Sequence, residues 1–241
     1  MIDIRGLFPF SLVDYPGKIS CILFCGGCNF RCPFCHNPCL VFDPASQPKI
    51  TEPQLFHFLE LRRHRLEGGV ISGGEPTLQS GLHELMSKIR HEEFLVKLDT
   101  NGTRPETVRE LLEDSLPDAF GIDYKAPAAE YGRLTGTGDA SVAEQVHQTI
   151  RMAVESGRFL DVRTTVHREL LSPEMLAQMH QELRELGVRN WVLQQFNPVE
   201  VIDDDLPAKP TYSDAELVRI AHSLGEDVHV RGLTGRIISR A

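Results

Sequence analysis

The sequence predicts an α/β fold, a parallel sheet curled into a partial TIM-like barrel of six βα units. Three observations carry that prediction. Short apolar runs alternate with longer stretches of helical period along the 241 residues. Alternation of this kind builds right-handed βα units. Each distinctive motif falls just after an apolar run, which is where parallel barrels gather their chemistry.

The strand candidates come in order. They are "ISCILFC" (Ile19 to Cys25), "GVISG" (Gly69 to Gly73), "FLVKLDT" (Phe94 to Thr100), "AFGIDYK" (Ala119 to Lys125), "FLDVRTTV" (Phe159 to Val166) and "NWVLQQF" (Asn190 to Phe196). A seventh run, "DVHVRG" (Asp227 to Gly232), extends one edge. Helices are expected over Glu52 to Glu67, Ser80 to Glu92, Arg104 to Asp114, Ser141 to Ser156 and Ser172 to Leu186. "SPEM" at Ser172 to Met175 has the form of a helix start, with Ser before a first-turn Pro. A closed barrel needs two more units, so six leave it open. "VIDDDLPAKP" (Val201 to Pro210) reads as a loop, and no internal repeat or flexible linker interrupts the chain.

Composition sets the boundaries. With 41% hydrophobic and 24% charged residues, the chain suits one domain over residues 1–241, with a leader at 1–18 and a C-terminal extension at 197–241. Net charge is −9 and no basic block exceeds "RRHR" (Arg62 to Arg65), which argues against a nucleic-acid partner. That run is expected on a solvated helical face. No stretch reaches the roughly 18 to 20 apolar residues of a membrane span, and the N-terminus lacks the pattern of a signal peptide. A cytoplasmic location without membrane contact is expected.

All six cysteines lie between Cys21 and Cys39, too close together to staple distant parts of a secreted fold. Three of them, in "CNFRCPFCHNP", have the spacing C-x3-C-x2-C: Cys28, Cys32 and Cys35. Three thiolates on a four-iron cluster leave one iron open for chemistry. A zinc site is the alternative, since Cys25 completes two C-x2-C units, although zinc ribbons separate such units by far more than three residues. A ferredoxin-like run is a second, although the cysteine order differs. Cys21 sits in an apolar strand as a small core residue, and Cys25 and Cys39 are read as spare thiols.

The spacing, with Phe34 just before the third cysteine, resembles the radical S-adenosylmethionine (SAM) superfamily. In that family the open iron is chelated by the amino and carboxylate groups of SAM. "SGGEP" (Ser72 to Pro76) resembles its GGE motif, which implies that the region of Gly73, Gly74 and Glu75 holds the SAM amino group. Glycines there let backbone approach a ligand closely. "KLDTNG" (Lys97 to Gly102) and "GIDYK" (Gly121 to Lys125) resemble the matching stretches of glycyl-radical-enzyme activases of the pyruvate formate-lyase activating type. That resemblance implies a monovalent cation on Asp99, Thr100 and Asp123, and SAM contacts from Asp99, Asn101, Asp123 and Lys125. A buried carboxylate at a strand end needs a cationic partner in any case.

Arg163, on an otherwise apolar strand, aligns with a SAM-contacting arginine or forms a structural ion pair. Phe196 falls where the activases place residues near the adenine. His36 and Asn37 follow the cysteines as further contacts to cofactor. Asn197 departs from the formate-lyase type, which has histidine there, and Cys25 departs in "FCGGC", where an uncharged polar residue is usual.

"GLFPFSLVDYPGKISCILFCGGCNFRCPFCHNP" with "SGGEPTLQ", "DTNG", "DYKAP" and "LQQFNP" most resembles the anaerobic ribonucleoside-triphosphate reductase-activating proteins. The resemblance implies a 4Fe-4S cluster, SAM as cosubstrate, a flavodoxin or ferredoxin as electron donor, and a glycyl radical enzyme as partner. The implied chemistry is reductive cleavage of SAM to a 5'-deoxyadenosyl radical, which takes hydrogen from a partner glycine. Two other outcomes stay open: a radical SAM enzyme acting on a small molecule, and a zinc-binding adaptor.

Overall fold

The computed structural model describes residues 2–233. Met1, in the leader, and residues 234–241, the end of the expected C-terminal extension, lie outside the described residues.

Eight strands form one sheet in sequence order: β1 (Ile4–Ser11), β2 (Ser20–Cys25), β3 (Gly68–Gly73), β4 (Leu95–Thr100), β5 (Ala119–Asp123), β6 (Phe159–Val166), β7 (Trp191–Gln195) and β8 (Val228–Arg231). From β2 to β8 every pairing is parallel, and β1 joins β2 antiparallel. Among the described residues the α-helices are α1 (Pro38–Phe42), α2 (Glu52–Glu60), α3 (Leu82–His91), α4 (Pro105–Glu113), α5 (Tyr131–Leu134), α6 (Val142–Glu155), α7 (Pro173–Glu185) and α8 (Asp214–Leu224). The six expected βα units are therefore present, and β8 extends one edge of the open sheet, as the seventh run predicts.

Besides α1, α5 and α8, which lie outside the expected helices, two elements differ from the sequence expectation. β1 was read as leader: Pro9 interrupts it, Phe8 and Phe10 are exposed, and it deviates from regular register between Phe8 and Ser11, so its pattern is not that of a buried strand. The helix expected to Glu67 ends at Glu60. Its start is firm, with a Thr51–Gln54 capping box. The chain must then turn back into the sheet, where Glu67 N donates to Ile19 O and the Glu67 carboxylate accepts from Ile19 N. The basic run Arg62 to Arg65 thus lies in turns, with Arg62 over the Phe58 ring at 4.3 Å.

α7 starts as its sequence predicts, with Ser172 accepting from Met175 N and Pro173 in the first turn. Leu176, Met179 and Leu183 are buried, one helical stripe turned to the core.

The main core holds side chains such as Leu23, Ile71, Leu98, Phe120, Ile122 and Leu193 together with helical residues. A smaller apolar cluster joins Tyr15, from the turn between β1 and β2, to Ile22, Val70 and Ala119 at the alternate strand positions. Further along those alternate positions the side chains become polar: Ser72, Lys97, Asp99, Asp123, Arg163, Thr165 and Gln194. This change of character along one face sets the position of the site.

Candidate active site

A cavity of about 240 Å³ opens at the C-terminal ends of the strands. Of the residues expected from the sequence, Cys28, Cys32, Cys35, Phe34, His36, Gly73, Gly74, Asp99, Thr100, Asn101, Asp123, Lys125 and Arg163 line it. Glu75 and Phe196 do not.

The cysteine loop follows β2 and is fixed by backbone contacts. Gly74 N donates to Cys25 O and Glu75 N to Gly27 O, each at 2.8 Å. Arg31 N donates to Thr135 O at 2.8 Å, and Asp203 N to Pro33 O at 2.9 Å, so the 201–210 loop also braces the cysteines. A Cβ on Gly74 would stand 2.0 Å from Gly27 O; one on Gly73, whose φ is +118, would stand 2.3 Å from Cys25 N. The two glycines, expected to admit a ligand, admit the cysteine loop itself.

Cys28, Cys32 and Cys35 share the cavity, whereas Cys21 and Cys25 are fully buried members of the main core and Cys39 is exposed. The closed zinc arrangement with Cys25 as fourth ligand is therefore not assembled. Among the described residues no three His, Cys, Asp or Glu side chains could hold a single metal ion. A 4Fe-4S cluster makes a different demand, one thiolate on each of three separate irons. Burial pushes the Cys28 thiol up and the Cys32 thiol up to about 12, with Lys125 opposing. Such thiols lose their protons when a metal supplies the compensating charge. The donor set fits the cluster.

Glu75 is fully buried, and its carboxylate is already engaged. It accepts from Thr77 N at 3.0 Å, Thr100 Oγ1 at 2.7 Å and Asn101 N at 2.7 Å. Burial raises its pKa against those bonds. Its place is beneath the wall, tying the loop after β3 to the loop after β4. Asn101 in turn donates from Nδ2 to Asn29 Oδ1 at 2.8 Å, on the cysteine loop. Phe196, 2% exposed, stands behind His36 at 5.7 Å between ring centroids. His36 Nε2 lies 3.1 Å from the Asn197 carbonyl oxygen, so Asn197 acts here through its backbone.

The opposite wall is ionic. Lys97, with no exposed surface, pairs with Asp99 Oδ1. Arg163 donates from Nη2 to Asp99 Oδ2 and from Nε to Asp123 Oδ1, both at 3.0 Å. Lys125 Nζ stands 3.5 Å from Asp123 Oδ2 and 5.6 Å from the centre of the Phe34 ring. Burial would raise the Asp123 carboxyl, but Arg163 and Lys125 hold it down to about 2. Burial lowers Lys97, and Asp99 opposes the change. Of the two readings of Arg163, the structural ion pair is the one formed in the chain as it stands.

Sequence reasoning missed Asp14, Phe30, Thr165 and Gln194, which also line the cavity. Thr165 was within reach, two residues from Arg163 on the same strand face. Asp14 was not, because it enters from the turn after β1, where Ser11 Oγ donates to its carboxylate at 2.5 Å.

Known proteins bear on this arrangement. Residues 22–179 match the family described as Radical SAM superfamily. A Methanocaldococcus jannaschii protein provisionally named as a glycyl-radical enzyme activating enzyme is 29% identical over 238 residues, 96% of this chain and 97% of its own length. A 7-carboxy-7-deazaguanine synthase of Hyperthermus butylicus is 29% identical over 218 residues, 81% of this chain and 86% of its own. In fold, Streptococcus suis SuiB bound to S-adenosylmethionine superposes with a TM-score of 0.64 at 14% identity, covering 86% of this chain and 48% of SuiB. The chain thus spans about half the length of that solved protein.

Proposed function

The chain belongs to the radical SAM superfamily, with a 4Fe-4S cluster and SAM as its cofactors, and from that premise we propose that it activates a glycyl radical enzyme. The observation that carries the proposal is the similarity to the M. jannaschii activating enzyme along nearly the whole of both chains. We take the partner to be an anaerobic ribonucleoside-triphosphate reductase, the electron donor to be a flavodoxin or ferredoxin, and the compartment to be the cytoplasm. In keeping with the last point, no described helix is long and apolar enough to cross a membrane.

On this reading Cys28, Cys32 and Cys35 would hold the cluster, which would relay one electron from the donor protein to SAM. The ionic wall of Asp99, Asp123, Lys125 and Arg163 presents fixed charges to the amino and carboxylate groups of SAM. Fixed dipoles and charges need no rearrangement when the ligand arrives. Phe34, His36 and Asn101 complete the enclosure, and Gly73 and Gly74 hold the cysteine loop against it. Asp123→Ala and Lys125→Ala are expected to weaken SAM binding while iron content stays as in the parent.

The test is to mix the anaerobically reconstituted protein, SAM and reductant with the reductase and record the electron paramagnetic resonance spectrum. A glycyl radical signal that requires all components is expected. A second reading, action on a small molecule, is favoured by the similarity to the deazaguanine synthase. It wins if no glycyl radical forms and 7-carboxy-7-deazaguanine or another small-molecule product is made instead.

A further inference from the structure

The resemblance to the activases implies a free monovalent cation on Asp99, Thr100 and Asp123, and those residues do not fit one here. Both carboxylates are satisfied by the chain. Asp99 Oδ1 takes the Lys97 ammonium and Oδ2 takes Arg163 at 3.0 Å. Asp123 Oδ1 takes Arg163 at 3.0 Å and Oδ2 faces Lys125 at 3.5 Å. Thr100 spends its hydroxyl on Glu75, 2.7 Å away, and accepts from Gly102 N at 3.1 Å. Four side-chain cations, Lys97, Lys125, Arg163 and Arg231, already face the three carboxylates of Asp99, Asp123 and Asp161, and a free metal ion would enter against them.

Lys97 is the unusual member. It lies on β4 two residues before Asp99, on the same strand face, with no surface in water. A buried lysine is retained only with a partner and with room. Gly121 on the neighbouring strand provides the room: a Cβ there would stand 2.3 Å from Asp99 Oδ1 and 2.6 Å from Lys97 Nζ. The sequence has thus cleared one strand position for this pair.

We propose that Lys97 is a positioning residue that supplies a built-in counter-charge to Asp99 in place of a free monovalent cation, which makes SAM binding by this chain independent of potassium and sodium. The inference rests on the reading of the cavity as a SAM site.

SAM affinity of the anaerobically reconstituted protein is measured in potassium, sodium and tetramethylammonium chloride at one ionic strength. The parent is expected to hold its affinity within about twofold across the three salts. Lys97→Met removes the charge at similar volume, and in tetramethylammonium it is expected to bind SAM about tenfold or more weakly, with potassium or ammonium restoring much of the loss. A tenfold salt dependence in the parent overturns the inference, as does a variant that binds normally in every salt or equally poorly in every salt. Should Lys97→Met fail to fold, the parent series decides alone. A parent that binds no SAM in any salt overturns the SAM reading itself, and the inference with it.

Discussion

The two walls of the cavity are built by different means. The wall after β2 and β3 is almost all backbone: the cysteine loop and the Gly73–Gly74 turn touch through main-chain hydrogen bonds at 2.8 Å, with no ion pair between them. The wall on β4, β5 and β6 is all side chain, with Lys97, Asp99, Arg163, Asp123 and Lys125 linked in alternating charge. The first wall should tolerate no added atom, and the second no lost charge. Each suits its occupant: irons need thiolates at fixed positions, whereas a zwitterionic ligand needs fixed charges.

The sharpest way to break the first wall is one methyl group. Gly74→Ala sets a Cβ 2.0 Å from the backbone oxygen of Gly27, and no side-chain rotation moves either atom away. A cost of about 3 kcal/mol or more is expected, with loss of iron on reconstitution, read by denaturant unfolding and iron analysis. If Gly74→Ala keeps both its stability and its iron, backbone contact is not what holds that wall.

The second wall breaks by charge. Asp99→Asn keeps the shape and leaves Lys97 buried without its counter-ion, at an expected cost of about 3 kcal/mol. An equal-shape change on the first wall, Cys25→Ser, should cost less, roughly 1 to 2 kcal/mol for burying a hydroxyl, and should leave iron binding intact. Reversal of that order would remove the distinction between the walls.

Acid sharpens the contrast further. The folded pKa of Asp123, about 2, lies below the ordinary 3.8, so its contribution is present above 3.8 and is lost as pH falls toward 2. Its side chain is 42% exposed to the cavity, so solvent screening limits the contribution to about 1 kcal/mol or less. Unfolding free energy between pH 4 and 2 should fall less steeply in Asp123→Asn than in the parent. Outside the cavity the same kind of pair counts for little: Arg168→Ala, which removes the exposed bond to Glu216 at 2.6 Å, should leave unfolding free energy nearly unchanged in a denaturant titration.

The sequence made the barrel legible where strands are buried on both faces. β6 was read to the residue, because "FLDVRTTV" is bounded by a turn and a polar loop. β1 escaped because an edge strand with Pro9 and outward phenylalanines obeys no burial pattern. α2 was overextended, since helical period continues into "LRRHR" while the tertiary bond from Glu67 to Ile19 ends the helix. In the site, residues that directly follow strands were readable from local motifs. Lys97 and Gly121 were not, since their meaning is a contact between two strands, and no spacing within either one contains it. Nor was the engagement of Glu75, which depends on four donors from two stretches of chain, after β3 and at the end of β4.

The most direct test of the account is formation of 5'-deoxyadenosine by the anaerobically reconstituted protein given SAM and dithionite, beside Cys28→Ala and Cys25→Ala. The account predicts product from the parent and from Cys25→Ala, and none from Cys28→Ala. Product from Cys28→Ala together with its loss in Cys25→Ala would contradict the assignment of the three cavity cysteines. No product from an iron-loaded parent, with its partner reductase present, would contradict the functional reading.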